Sequence, residues 1–201
     1  MRLDDEGNQQ ETSHSVIEMI NEFADLVELR KLPKKRSELA YYIVGLTDGE
    51  GCFSIALKQQ AGTRFGFVLD PVFHVTQHVK SRGLLLLLER FFGCGRVIQK
   101  PGQAETLQYY VDNRRQISEK IIPFFEKHAL IVKGEDFRKF ADIVRALENK
   151  EHSDKGTFKK LVSVAFSMNM EGKQRRYDLE SVLKAIEDGS SETIRQTPGN
   201  G

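Results

Sequence analysis

Two cysteines are all that these 201 residues contain. Cys52 and Cys94 form no CxxC pair, so the chain offers neither a disulfide framework nor the ligand spacing of a zinc cluster. Nothing in it resembles a secretory signal, which with so little cysteine leads us to expect a reduced intracellular setting. Long apolar runs are missing too. Leu84 to Leu88, five leucines in a row, falls far short of a membrane span and reads as buried helix. Nor is there an excess of charge: 30 Lys and Arg stand against 29 Asp and Glu, so net charge alone does not advertise a nucleic-acid binder. A chain of this length holds one domain with a real core plus appendages, not two full domains.

The charge is nevertheless unevenly placed. Residues 1–30 hold eight acids against two bases, whereas residues 52–115 hold nine bases against four acids, so the middle of the chain carries the basic balance. Within it the hydrophobic period changes repeatedly. Phe53, Ile55 and Leu57 alternate with Ser54, Ala56, Lys58 and Gln60, which predicts a strand. Ala61-Gly62-Thr63 predicts a turn. A longer strand over about 64–79 sets Phe65, Phe67, Leu69, Phe73 and Val75 on one parity and Val68, Asp70, His74 and Thr76 on the other, with a bulge or bend expected at Pro71. Residues 81–92 predict a helix ended by Gly93. Two further strands, 95–100 and 106–111, place Arg96, Ile98 and Lys100 on one face, and Thr106, Gln108 and Tyr110 outward with Leu107, Tyr109 and Val111 inward. A helix follows over 115–129. Helical spacing also marks 16–29, 134–147, 158–168 and 177–186. His74 and His78, four residues apart on a strand, lie about 13 Å apart and cannot share an ion.

The stretch Leu39 to Phe53 organises the rest. Ser37 is placed to cap its helix, and Leu39 to Leu46 is apolar almost all round, apart from two tyrosine hydroxyls, as in a helix buried on more than one side. Gly45 and Gly49 share a face on which another backbone can approach closely, and Ala40 is small as well. Asp48 and Glu50 sit among glycines at the helix end, whose partial negative charge calls for a compensating cation. Gly51 lets the chain leave the helix for a strand.

Ile43-Val44-Gly45-Leu46-Thr47-Asp48-Gly49-Glu50-Gly51, followed by Cys52-Phe53, resembles the signature of the LAGLIDADG homing endonucleases. Thr47 replaces an apolar residue of that signature, and Glu50 stands where many members have Asp. The resemblance runs over roughly 37–147, with agreement also at Asp70-Pro71 through Gln77-His78, around Asn113-Arg114 and at Ile122-Pro123, and is nearest to single-motif enzymes encoded in large-subunit ribosomal RNA introns. It implies an α+β fold of αββαββα order, with a saddle-shaped four-stranded antiparallel sheet in each subunit and additional N- and C-terminal helices. No second copy of the motif is present, so a homodimer is expected, meeting along Ala40, Gly45 and Gly49.

By the same resemblance, Glu50 is catalytic and holds Mg2+ together with the backbone carbonyl of Gly49, while Asp48 is structural. Gln77, in Val75-Thr76-Gln77, orients solvent near the metal, and Lys133, ending the segment from Pro123, faces the cleaved phosphate. The family's further basic residue after the glutamine falls here on Ser81, between Lys80 and Arg82. A sheet face with few acids can lie in a major groove, which makes Ser54, Lys58, Gln60, Asp70, His74, Thr76, Arg96, Lys100, Gln108 and Tyr110 contact candidates; Asp70 would accept from a cytosine amino group.

The expected protein is a magnesium-dependent, site-specific endonuclease cutting both strands of a long, nearly palindromic double-stranded DNA, in a bacterial or archaeal cytoplasm or an organelle. Expected partners are DNA and a second copy, with intron RNA as a further candidate and no membrane. A maturase or regulator that keeps the fold without cleavage fits the same residues. A small-molecule hydrolase using Glu50 as base would need an apolar pocket, and no nucleophile-base pair supports it. The division expected is a polar tail and docking helix over 1–36, an endonuclease core over 37–150, a helical extension over 151–189 and a loose tail over 190–201.

Overall fold

The computed structural model describes residues 31–169 and 177–189. The helix expected over 16–29 and the tail from 190 lie outside them. Helix α1 (Arg36–Glu50) passes without a loop into β1 (Gly51–Gln59), followed by β2 (Phe67–His78), α2 (Arg82–Phe92), β3 (Arg96–Gln99) and β4 (Thr106–Val111). Then come a helical turn α3 (Arg114–Gln116), a π turn (Ile117–Ile121), α4 (Ile122–Lys127), α5 (Gly134–Glu148), α6 (Lys155–Ser167) and α7 (Leu179–Asp188). The strands form one four-stranded sheet in the order β1-β2-β4-β3. This is the α+β architecture, helix-hairpin-helix-hairpin-helix with helices added after it, that the alternating periods predict. Among the described residues no helix is long and apolar enough to cross a membrane.

The chain divides into two compact units that interleave along the sequence. Among the described residues, one comprises 31–52, Phe73–Val111 and Glu119–Val132; the other comprises Phe53–Val72, Asp112–Ser118, 133–169 and 177–189. In the first, α2 turns Leu85, Leu87, Leu88, Phe91 and Phe92 inward against β3 and β4. It ends at Gly93, whose φ of +58° is the left-handed turn that glycine adopts at least strain. Phe73 meets the rings of Phe92, Tyr109 and Phe125 edge-on, with centroids 6.4, 6.2 and 5.6 Å away. Tyr109 is fully buried, so its hydroxyl needs a partner, and it donates to the Cys94 carbonyl at 2.9 Å. Burial pushes that phenol far above the ordinary range.

In the second unit, Phe53 packs on Phe137 and Phe140 of α5, with centroids 5.2 and 5.4 Å apart. Phe65 stacks on Phe158 of α6, and Phe67 meets Tyr177. Helix α6 lies between α5 and α7. Asp154 and Asp178 cap α6 and α7, accepting from the amides of Thr157 and Ser181 at 2.8 Å each.

Four local expectations are corrected. Ser37 does not cap α1: the first turn closes two residues earlier, with the Leu39 amide donating to the Lys35 carbonyl. Strand β2 begins at Phe67, because 61–66 form a wider turn in which Phe65 leaves for Phe158. Pro71 does not interrupt β2: the register with β4 begins only at Phe73, beyond the residue that lacks an amide. The helix expected over 115–129 is split by the π turn just ahead of Pro123, whose ring and missing N–H disrupt a regular α ladder.

Gly51 serves differently from expectation as well. Its φ and ψ, −82° and 159°, are extended and not left-handed. Glycine is needed because an added Cβ would lie 2.6 Å from Thr47 Cγ2 and 2.7 Å from the Thr47 carbonyl oxygen. Thr47 is itself fully buried, with a hydroxyl that has no hydrogen-bond partner. Opposite outcomes are therefore expected in denaturant unfolding. Thr47→Val removes a buried orphan hydroxyl at constant shape and should stabilise by about 1 kcal/mol, whereas Gly51→Ala should destabilise by about 1–3 kcal/mol.

Candidate active site and nucleic-acid interface

Helix α1 has two faces. Leu39, Ala40, Ile43, Val44 and Thr47 are buried, while Tyr41, Tyr42, Gly45, Gly49 and Glu50 are exposed. The all-round burial predicted for this helix is thus absent within one chain. Ala40 is 3% exposed and belongs to the chain's own core. Five residues separate it from Gly45, about 140° around the helix, so Ala40 cannot share an interface with Gly45 and that assignment is corrected. A Cβ built on Gly45 or Gly49 meets nothing within 4 Å. Glycine inside a helix costs about 1 kcal/mol relative to alanine, and at these two positions the single chain supplies no steric reason for it.

At the foot of this helix the two acids diverge. Asp48 turns toward the loop after α4, where its carboxylate accepts from the Ile131 amide at 2.8 Å and the Val132 amide at 3.1 Å. The structural role expected of Asp48 is this pair of bonds. Glu50, the last residue of α1, is exposed. Gln77 is the penultimate residue of β2, half-buried opposite Leu107. It shares the parity of Phe73 and Val75, not that of the polar contact candidates. In the second unit, Lys133 is the N-cap residue of α5, without a side-chain cap bond. Lys80 lies in the short 3-10 turn after β2, and Arg82 opens α2.

The polar face is ordered by the register in the first unit. His74 lies opposite Tyr110 and Tyr110 opposite Arg96; Thr76 lies opposite Gln108 and Gln108 opposite Ile98. His74 stacks on Tyr110 at 6.3 Å, and the Arg96 guanidinium sits over the same ring at 5.3 Å. This row of one imidazole, one phenol and one guanidinium presents flat faces and donors together. Lys100 follows β3, its amide bonded to the Thr106 carbonyl. Gln108 departs from expectation: it is 7% exposed, and its amide donates to Thr76 Oγ1 at 3.2 Å. On a central strand its side chain lies along the sheet toward Thr76 instead of standing outward. In the second unit Lys58 and Asp70 form an ion pair, Ser54 is half-buried on β1, and Gln60 is exposed at the head of the turn, its amide bonded to the Gly66 carbonyl.

A family model for LAGLIDADG endonucleases matches residues 43–144, spanning α1 to the last turns of α5. The chain belongs to the LAGLIDADG endonuclease family. DNA endonuclease I-CeuI of Chlamydomonas moewusii is 36% identical over 138 residues, 64% of this chain and 63% of that protein. Homing endonuclease I-ApeII of Aeropyrum pernix is 33% identical over 149 residues, 72% of this chain and 88% of that one. Among solved structures, the archaeal intron-encoded homing endonuclease I-Vdi141I, complexed with DNA, superposes with a TM-score of 0.70 at 37% identity, covering 75% of this chain and 95% of that one. The LAGLIDADG signature is thus the segment Ile43 to Gly51 at the junction of α1 and β1.

Sequence reasoning missed Ile131 and Val132, which are 90% and 76% exposed. An apolar run between two helices reads as core, and only the bonds from Asp48 show that it is held at the surface. Asp48→Ala should accelerate hydrogen exchange at the Ile131 and Val132 amides by roughly 5-fold, as expected when water replaces a fixed acceptor worth about 1 kcal/mol.

Burial, and secondarily the charge of Lys100, hold His74 below the ordinary imidazole value of 6.5. Native His74 therefore stays neutral over an interval below 6.5 in which the unfolded chain is protonated. There the unfolded state binds more protons, and stability falls as pH falls. His74→Phe, which keeps a ring against Tyr110, should lessen the drop in melting temperature between about pH 7 and pH 5.

Proposed function

We propose that this protein is a site-specific homing endonuclease that acts as a homodimer with magnesium, hydrolysing one phosphodiester in each strand of a long, nearly palindromic DNA target. The observation that carries the reading is the exposed Glu50 at the foot of a helix on which a Cβ added at Gly45 or Gly49 meets nothing within 4 Å. Glycines that one chain does not need are explained by a second backbone crossing there. A two-fold crossing at Gly45 and Gly49 sets two Glu50 side chains near one axis, as cutting both strands of a symmetric site requires. The I-Vdi141I complex, a relative bound to DNA, supports DNA as the substrate. The intron origin stated for that relative supports a gene within an intron, as the resemblance to ribosomal RNA intron enzymes implies, and a target at the junction the intron interrupts.

Among the described residues no three acidic, histidine or cysteine side chains converge as a metal site. One chain thus supplies part of a shell: the Glu50 carboxylate and the Gly49 carbonyl, both hard oxygens of the kind magnesium takes while keeping several waters. These donors fit a half-site completed by the second copy. When bound, the ion supplies Lewis acidity and a more acidic water. Glu50 would hold that ion through a carboxylate oxygen. Gln77 orients the attacking water through its amide. Lys133 places a cation where charge develops on the phosphate. A lysine at the N-terminus of α5 opposes the helix dipole, so its position is not explained by helix stability.

Direct readout falls to Arg96, His74, Tyr110, Thr76 and Lys100, with Gln108 positioning Thr76. Ser54, Gln60 and Lys58 act from the other unit, and Lys58 exchanges Asp70 for phosphate. Binding should weaken steeply with salt, the slope losing about 0.9 for each phosphate-contacting lysine or arginine removed.

The test compares Glu50→Gln with the parent on intron-junction DNA with magnesium. Cleavage should fall by at least about 1,000-fold with DNA affinity retained, the signature of a lost transition-state interaction. Cutting by the variant at the parent rate would refute the role of Glu50.

A further inference from the structure

We propose that Ile131 and Val132 form an apolar clasp that packs onto a second copy of this chain and widens the contact made along α1; this rests on the homodimer reading above. After α4 the chain buries Leu130, then turns Ile131 and Val132 outward to 90% and 76% exposure. The loop is anchored on both sides of that turn. Leu130 sits in the core, and the two following amides are held by the Asp48 carboxylate at 2.8 and 3.1 Å. With the backbone facing α1, the side chains face away from the chain's own core.

A single exposed aliphatic residue is ordinary, but these are not scattered. Five large hydrophobic residues are exposed among those described, and four of them, Tyr41, Tyr42, Ile131 and Val132, belong to α1 or to the loop tied to its foot.

The occupant follows from area and chemistry. A seam through Gly45 and Gly49 brings backbones close but contributes no side chains, whereas a stable interface takes about 800 Å² from each partner. The missing apolar surface must be continuous with the seam, and Asp48 holds Ile131 and Val132 one helical turn from Gly45. DNA interfaces are polar and positively charged, and two neighbouring β-branched aliphatic side chains offer neither charge nor donor. A second copy suits them better.

Sedimentation equilibrium of the full chain without DNA tests this, using the parent, Gly45→Leu, the double variant Ile131→Ser with Val132→Ser, and the conservative pair Ile131→Val with Val132→Ile. The clasp predicts a dimeric parent, a Gly45→Leu variant that dissociates, a serine pair whose dimer dissociation constant rises by about 100-fold, and a conservative pair within about 3-fold of the parent. Because the side chains are exposed in one chain, the serine pair should keep the parent circular dichroism spectrum and melting temperature when both are monomeric. A serine pair that dimerises like the parent while Gly45→Leu does not would overturn the clasp and leave the α1 seam standing. If that pair also bound junction DNA less tightly, the side chains would belong to DNA. A parent that stays monomeric, free and on DNA, would overturn both readings.

Discussion

The carboxylate of Asp48 joins two parts of the chain that lie more than eighty residues apart in sequence, and the arrangement of the site depends on it. By accepting the amides of Ile131 and Val132, it fixes the loop after α4 to the foot of α1 within one unit. A carboxylate that accepts two backbone donors is held in orientation by them. Its neighbour Glu50, two residues on, is left exposed. One acid is thereby committed to structure, and in the proposed function the other is the catalytic one. Adjacent acids near a helix C-terminus, which the helix dipole disfavours, are explained when each has its own positive partner: backbone N–H groups for Asp48 and, in the proposed function, a divalent ion for Glu50.

Helix α1 extends this division to packing. The face carrying Leu39, Ala40, Ile43, Val44 and Thr47 belongs to the core, and the face carrying Gly45 and Gly49 meets nothing within 4 Å of an added Cβ. The helix composition is therefore that of a fully buried helix, although one chain buries only half of it. In the proposed homodimer, the apolar character on the open side would be met by the second copy.

That difference explains what could be read from sequence. The period-two runs of β1, β2 and β4 and the stop at Gly93 are local signals, so strands and helix end emerged close to their observed places. The LAGLIDADG signature resembled Ile43 to Gly51 strongly enough to announce the fold. Ala40 was misassigned because smallness was taken for surface, and small residues also serve tight cores. Gln108 was misplaced because parity gives a face but not a reach: on a central strand, between Thr76 and Ile98, its side chain is covered by its neighbours. The π turn before Pro123 and the outward Ile131-Val132 pair were illegible for one shared reason. Each depends on a partner distant in sequence or on a local break in period, which a one-dimensional pattern does not carry.

A nearly neutral chain can nonetheless be suited to DNA, since the sum of charges matters less than their placement. In the first unit the row formed by His74, Tyr110 and Arg96 exposes flat rings and a guanidinium without an intervening acid. In the second, the one acid among the contact candidates, Asp70, is neutralised by Lys58. An ion pair of exposed side chains is worth at most about 1 kcal/mol, so Lys58 can exchange a carboxylate for a phosphate at little loss. In the proposed function, the exchange would leave Asp70 able to accept a hydrogen bond from a base. In that proposal the acid is part of the binding surface, its charge masked by Lys58 until the lysine turns to the DNA backbone.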